Sequence, residues 1–261
     1  MYKLKEFLNL LEEYAPLSYS RRLIERGDYD NSGIIVENHD KVQKIFFTLD
    51  LSENAVSKAL EFGADTVVTH HPAIYEPIKN LGVNGSNRAL LLAIKSGLNV
   101  ISMHLNLDVA EDGIDKCLSN VLGGEKVEIL DRLEDRVGYG REFSIDTTTV
   151  EEFKKIVAKK LDTDKVIAYG NNPVKVVASF CGGGGSHALS AVQDGVTYAD
   201  TIVTSDLAHH QLLALVESGK NVIIIPHYVA EEYGFNKFYE FCAEKIKNGV
   251  KACYFADKRF M

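Results

Sequence analysis

The sequence predicts an α/β fold made of two internally repeated α/β units, with mixed sheets flanked by helices. Three observations predict it. Short apolar or β-branched runs alternate with helical patterns along the chain. These runs are apolar throughout rather than alternately polar, which marks strands covered by helices on both faces. The chain also repeats itself. Ala-Asp-Thr-Val-Val-Thr at 64–69 returns as Ala-Asp-Thr-Ile-Val-Thr at 199–204, Ser-Gly-Leu-Asn-Val-Ile at 96–101 as Ser-Gly-Lys-Asn-Val-Ile at 218–223, and Val-Ala-Glu at 109–111 at 229–231.

The N-terminal stretch reads as a helix, with Leu4, Phe7, Leu8 and Leu11 at 3–4 spacing between charged residues, and not as a signal peptide. Strands are expected at 44–49, 66–69 and 99–103, with helices at 53–62 and 87–97 between them. The second half repeats the scheme, with strands at 174–180, 201–204 and 221–225 and helices at 186–194, 206–218 and 229–248. The offset between matching segments shrinks along the chain, which places extra residues of the first half in the loop Pro72–Asn87. Gly123-Gly124 opens the junction, over about 124–136. It lacks the Pro or Ser of a free linker.

Composition bounds the function. The chain has 261 residues, 46% hydrophobic and 25% charged, enough apolar surface to repay ordering and too ordinary for a fibrous or disordered protein. Its net charge of −8 disfavours direct nucleic-acid or acidic-lipid binding. No apolar run approaches the roughly 20 residues of a membrane span, so a cytoplasmic protein is expected. Cys117, Cys181, Cys242 and Cys253 form no CxxC pair, which removes a zinc ribbon and leaves four thiols of a reducing compartment.

Ligand-type side chains gather where strands are expected to end. His70 and His71 follow 66–69, His104 follows 99–103, His227 follows 221–225, and Asp206 with His209 and His210 follows 201–204. In open α/β sheets ligands bind beyond the carboxyl ends of strands. Pro72 holds His71 in extended geometry, and neighbouring side chains then point opposite ways. Two ions side by side could take one imidazole each; a polar turn is the other reading. Asp108, four residues after His104, is either a ligand or an N-cap completing a capping box with Glu111. His227 and Glu231 share one helix face, and a Glu carboxylate can bridge two ions. The alternative is that Glu231 and Glu232 complement the helix dipole. The glycines 182–185 open a helix without the Lys of a phosphate-binding P-loop. They make either an anion cradle or a turn crowded by a neighbouring backbone.

The runs 29–36, 47–79, 103–115, 181–186, 204–210 and 226–234 carry Thr-His-His-Pro, His-x-Asn-Leu-Asp and His-Tyr-x-x-Glu in that order. Together they resemble the GTP cyclohydrolase I type 2 homologues, the dinuclear-metal proteins of the NGG-one-interacting-factor-three type, over almost the whole chain. The resemblance is to the short form without an inserted middle domain. It implies metal ligands at His70, His71, Asp108, His227 and Glu231, and catalytic residues at His104 and His210. It implies two intertwined α/β repeats, residues 1–128 and 129–261, with the metal site at their interface and the C-terminal segment packing back on the first. It also implies a homohexameric ring built from trimers. Tyr29 departs from the family's usual Trp, a change that touches packing.

Five N/O ligands without a thiolate suit two divalent ions per chain, Zn²⁺, Fe²⁺, Mn²⁺ or Ni²⁺. A water between them would be acidified towards a pKa of ~7 and become a nucleophile. The remaining positive charge would attract a small anionic or nucleotide substrate. The expected function is a metal-dependent hydrolase acting on a nucleotide or phosphate-bearing substrate. The alternative is a non-catalytic, metal-dependent oligomeric scaffold or regulatory interaction protein.

Overall fold

In the computed structural model, which describes residues 1–85 and 87–261, each half of the chain builds one main sheet around its three short apolar strands. In the first, the order is Lys251–Phe255, Lys44–Thr48, Thr66–Thr69, Asn99–Ser102, Gly33–Val36, with the first four parallel and the last antiparallel. In the second, Val174–Ser179, Thr201–Thr204 and Asn221–Ile224 run parallel. Antiparallel strands flank them: Ile167–Tyr169 on one side and Val137–Thr148, paired with Glu125–Glu134, on the other. The fold is thus mixed α/β. Thr66–Thr69, Asn99–Ser102 and Thr201–Thr204 are buried at every position, their apolar centres and polar ends alike.

The sequence repeat has a physical meaning. Asp65 accepts hydrogen bonds from the backbone N–H groups of Gln43 and Lys44 at 2.9 Å each. Asp200 accepts the equivalent pair from Lys175 and Val176 at 3.0 Å each. Asn99 and Asn221 are both fully buried and both donate to the threonine that opens the neighbouring strand, Thr66 and Thr201. In each half the aspartate caps the backbone N–H groups at the start of the first strand, and the asparagine ties the next two strands together. Helix termini follow local signals too. Ser52 accepts from the N–H of Ala55 to start Glu53–Phe62, and Gly63 at φ +74° ends it.

The chain forms two compact units whose bounds differ from 128/129. One compact unit holds Met1–Leu107 with Phe235–Asp257, and the other holds Asp108–Gly234 with Lys258–Met261. Residues after 107 belong to the second unit because Ile114–Leu122 is a helix of its core, and Asp115 pairs there with Arg141. Phe235–Asp257 belongs to the first because Lys251–Phe255 pairs with Lys44–Thr48 and because Phe235 and Phe238 pack on Phe47. The junction at 124–136 is no connector: it forms the long strand Glu125–Glu134. The extra loop after Thr69 contains no helix or strand among its described residues before Arg88; Ser86 lies outside the described residues. Among the described residues no helix is long and apolar enough to cross a membrane.

Phe47 is fully buried against Phe235, Phe238 and Tyr239, with ring centroids 6.5, 6.2 and 5.2 Å away. Phe47→Ala is therefore expected to cost about 3–5 kcal/mol in chemical denaturation. A loss below about 1 kcal/mol would mean that this discontinuous core does not hold the first unit together.

Candidate metal centre

In the first unit, parallel pairing sets Thr69 level with Ser102, so the residues that follow each strand emerge at the same sheet edge. His70 and His71 follow Thr69. Their N–H groups both donate to the carbonyl of Leu49 at 3.1 Å, which fixes the tandem pair against the end of the neighbouring strand. His104 follows Ser102 by two residues, and its N–H donates to the hydroxyl of Ser32 at 3.0 Å. One ligand-capable atom from each of His70, His71 and His104 lies within 4.8 Å of the others.

Each of these imidazoles is oriented by an acceptor at Nδ1. His70 Nδ1 lies 2.8 Å from the carbonyl of Met103, His71 Nδ1 2.7 Å from Asp50 Oδ1, and His104 Nδ1 2.7 Å from Asp30 Oδ1. A carbonyl can only accept, so His70 carries its proton on Nδ1 and presents the Nε2 lone pair. The carboxylates favour the same tautomer for His71 and His104. Metal-ligating histidines are held in this way. Burial raises the pKa of Asp30, but hydrogen bonds from His104, Ser20 and Ser32 outweigh it and hold the carboxyl below the usual value.

In the second unit, Asp108 and Glu231 are 5% and 2% exposed. His227 opens the helix His227–Lys245, and Glu231 stands one turn on, with His227 Nε2 3.0 Å from Glu231 Oε1. Asp206 holds His227 at Nδ1, 2.7 Å away. Asp108 Oδ1 lies 3.6 Å from the thiol of Cys181. The glycine loop packs on this group. A Cβ at Gly182, where φ is +55°, would sit 2.1 Å from Glu231 Oε1 and 3.3 Å from His227 Nε2. A Cβ at Gly184 would strike Phe180 at 2.4 Å, and one at Gly185 the carbonyl of Asp206, also at 2.4 Å. Close approach thus accounts for three of the glycines without a bound anion.

The donor sets suit divalent cations. The first unit offers imidazoles with outer acceptors, and the second offers two buried carboxylates beside an imidazole, which is the chemistry of a borderline or hard ion. Cys181 is not a natural thiolate here, since burial, then Asp108, Asp115 and Glu231, push its pKa well up. His210 is exposed on the helix His209–Glu217 and joins none of the ligand-capable groups among the described residues. Sequence reasoning missed Asp30 and Asp50. Asp50 had a signal, since it stands just past a strand like the histidines; Asp30 had only its place in the 29–36 motif.

Comparison with known proteins shows which family the sequence resembles. The family model of Duf34/NIF3 (NGG1p interacting factor 3) matches residues 2–259. A Clostridium perfringens protein named GTP cyclohydrolase 1 type 2 homolog is 28% identical over 256 residues, covering 95% of this chain and 94% of its own. One of the same name from Methanocaldococcus jannaschii is 29% identical over 253 residues, covering 94% and 96%. The crystal structure of a Staphylococcus aureus hypothetical protein matches with a TM-score of 0.85 at 25% identity, over 98% of this chain and 97% of that one.

Two outcomes follow from this geometry. Gly182→Ala is expected to destabilise the protein by roughly 1–2 kcal/mol through its left-handed backbone, beyond any displacement of Glu231, as read by denaturation midpoints. Asp115 sets a pH dependence. Burial raises its pKa to about 6, against the pull of Arg141 and the N–H of Cys181. Its protonated form stabilises the fold most below the ordinary value of 3.8, and that contribution is lost as the pH rises through about 6. In chelator-treated protein Asp115→Asn should flatten the stability curve across this window; an unaltered slope would contradict the assignment.

Proposed function

Because the chain belongs to the Duf34/NIF3 family, we propose that it binds two divalent ions through His70, His71, Asp108, His227 and Glu231 and works as a metal-dependent hydrolase on a nucleotide or phosphate-bearing substrate. The observation that carries the reading is the set of acceptors on the Nδ1 atoms of His70, His71 and His227, the outer arrangement expected of ligating imidazoles. The GTP cyclohydrolase name of its relatives supports a nucleotide substrate.

The ions would supply Lewis-acid polarisation of a substrate oxygen and an acidified water. The residues of the chain do the rest. His70 and His71 would offer their Nε2 lone pairs, because the Met103 carbonyl and the Asp50 carboxylate accept at Nδ1. His104 moves a proton at Nε2, and Asp30, fixed by Ser20 and Ser32, stabilises the imidazolium that results. His210 is assigned a proton-transfer role by the resemblance alone. Asp108 and Glu231 bring less negative charge than two divalent ions bring positive, so the centre attracts an anion.

Metal analysis of the purified protein is expected to find about two divalent ions per chain, with His70→Ala and Glu231→Ala each reducing occupancy and abolishing hydrolysis of GTP or of simple phosphoesters. Bound ions without turnover of either would leave the scaffold role instead. A chain that takes up no Zn²⁺, Fe²⁺, Mn²⁺ or Ni²⁺ would end both.

A further inference from the structure

Cys181 stands at the start of the glycine loop, 1% exposed, and none of its surroundings was foreseen from sequence. Its thiol faces Asp108. Its N–H donates to Asp115 Oδ1 at 3.2 Å, and its carbonyl accepts the hydroxyl of Tyr139. The preceding residue, Phe180, is tied by its N–H to the carbonyl of Val203 at 2.9 Å. Asp115 in turn faces Arg141, whose Nη1 lies 3.6 Å from Asp115 Oδ2 and donates to the carbonyl of Gly138 at 2.9 Å. Arg141 and Asp115 are both fully enclosed.

A buried ion pair is poor support for stability, because apolar residues of similar volume often leave a fold equally or more stable. Its place here argues for positioning. The groups run in one line, Arg141 to Asp115 to Cys181 to Asp108, and the last is a proposed ligand. We propose that Cys181 is a positioning residue of the metal centre: its S–H fixes the Asp108 carboxylate, and the Arg141–Asp115 pair fixes Cys181. A thiol suits the task. It donates weakly, so the carboxylate keeps its negative charge, and none of the ligand-capable groups among the described residues includes its sulfur. This rests on the reading of Asp108 as a ligand.

The test is Mn²⁺ affinity of the full chain by chelator competition, with wild type, Cys181→Ala and Cys181→Ser compared at matched pH. Alanine removes the donor and is expected to weaken Mn²⁺ binding about 10–100-fold, whereas serine, which still donates to Asp108, stays within about 3-fold of wild type. Metal-free denaturation midpoints of the two variants are expected to agree, which a merely structural role of the side chain would not give together with serine rescue. If Cys181→Ala does not fold, Cys181→Val, close to the thiol in volume and without a donor, takes its place. Alanine binding as tightly as wild type, or serine as weak as alanine, overturns the positioning role and leaves the metal centre standing. A wild type that binds no Mn²⁺ or Zn²⁺ overturns both.

Discussion

The parallel register of the short buried strands is the constraint on which the rest depends. Because Thr69 pairs level with Ser102, His70, His71 and His104 leave their strands at the same sheet edge, although thirty-odd residues separate them in the chain. A slip of one residue would turn every side chain of a strand to the opposite face. Here both faces are buried, so a slip would carry Asp65 and Asn99 away from the backbone groups they satisfy. The polar residues of the repeat thus lock the register, and the register fixes the histidines.

The second unit meets the same problem with other residues. After its first parallel strand come Cys181 and the glycines, after its second Ser205 and Asp206, and after its third His227. In the first unit the equivalent places hold Asp50, then His70 and His71, then His104. In both units the histidine after the third strand has a carboxylate on its Nδ1, Asp30 for His104 and Asp206 for His227. A duplicated scaffold has kept the habit of fixing an imidazole tautomer while its first and second strand ends have diverged. One offers imidazoles, and the other has packed its backbone against a carboxylate.

Much of this was legible in the sequence because it is written in local pattern. Unbroken apolar runs identify buried strands, the repeated Ala-Asp-Thr and Asn-Val-Ile segments identify the duplication, and strand-end histidines identify the sheet edge where imidazoles gather. The hairpin of Glu125–Glu134 and Val137–Thr148 was not legible. Its first strand is mostly exposed and its polar pattern, Glu-Lys-Val-Glu, carries no core signal. The division of the chain was not legible either, since it depends on Phe235–Asp257 pairing with a strand two hundred residues earlier. The outer acceptors were hidden for the same reason. His104 and Asp30 lie 74 positions apart, and an aspartate in a turn has no spacing that points to an imidazole.

The glycine loop shows how two readings of one motif can be separated by geometry. From sequence, four glycines at a helix start could cradle an anion or relieve crowding. The positions at which a Cβ would collide are occupied by Glu231, Phe180 and the carbonyl of Asp206, all groups of the protein itself. The loop lies against the Glu231 carboxylate. Positive φ at Gly182 lets the backbone turn there without displacing Glu231. The N–H of Cys181, just before the glycines, is bound to Asp115. Crowding thus explains Gly182, Gly184 and Gly185, whereas Gly183 borders open space.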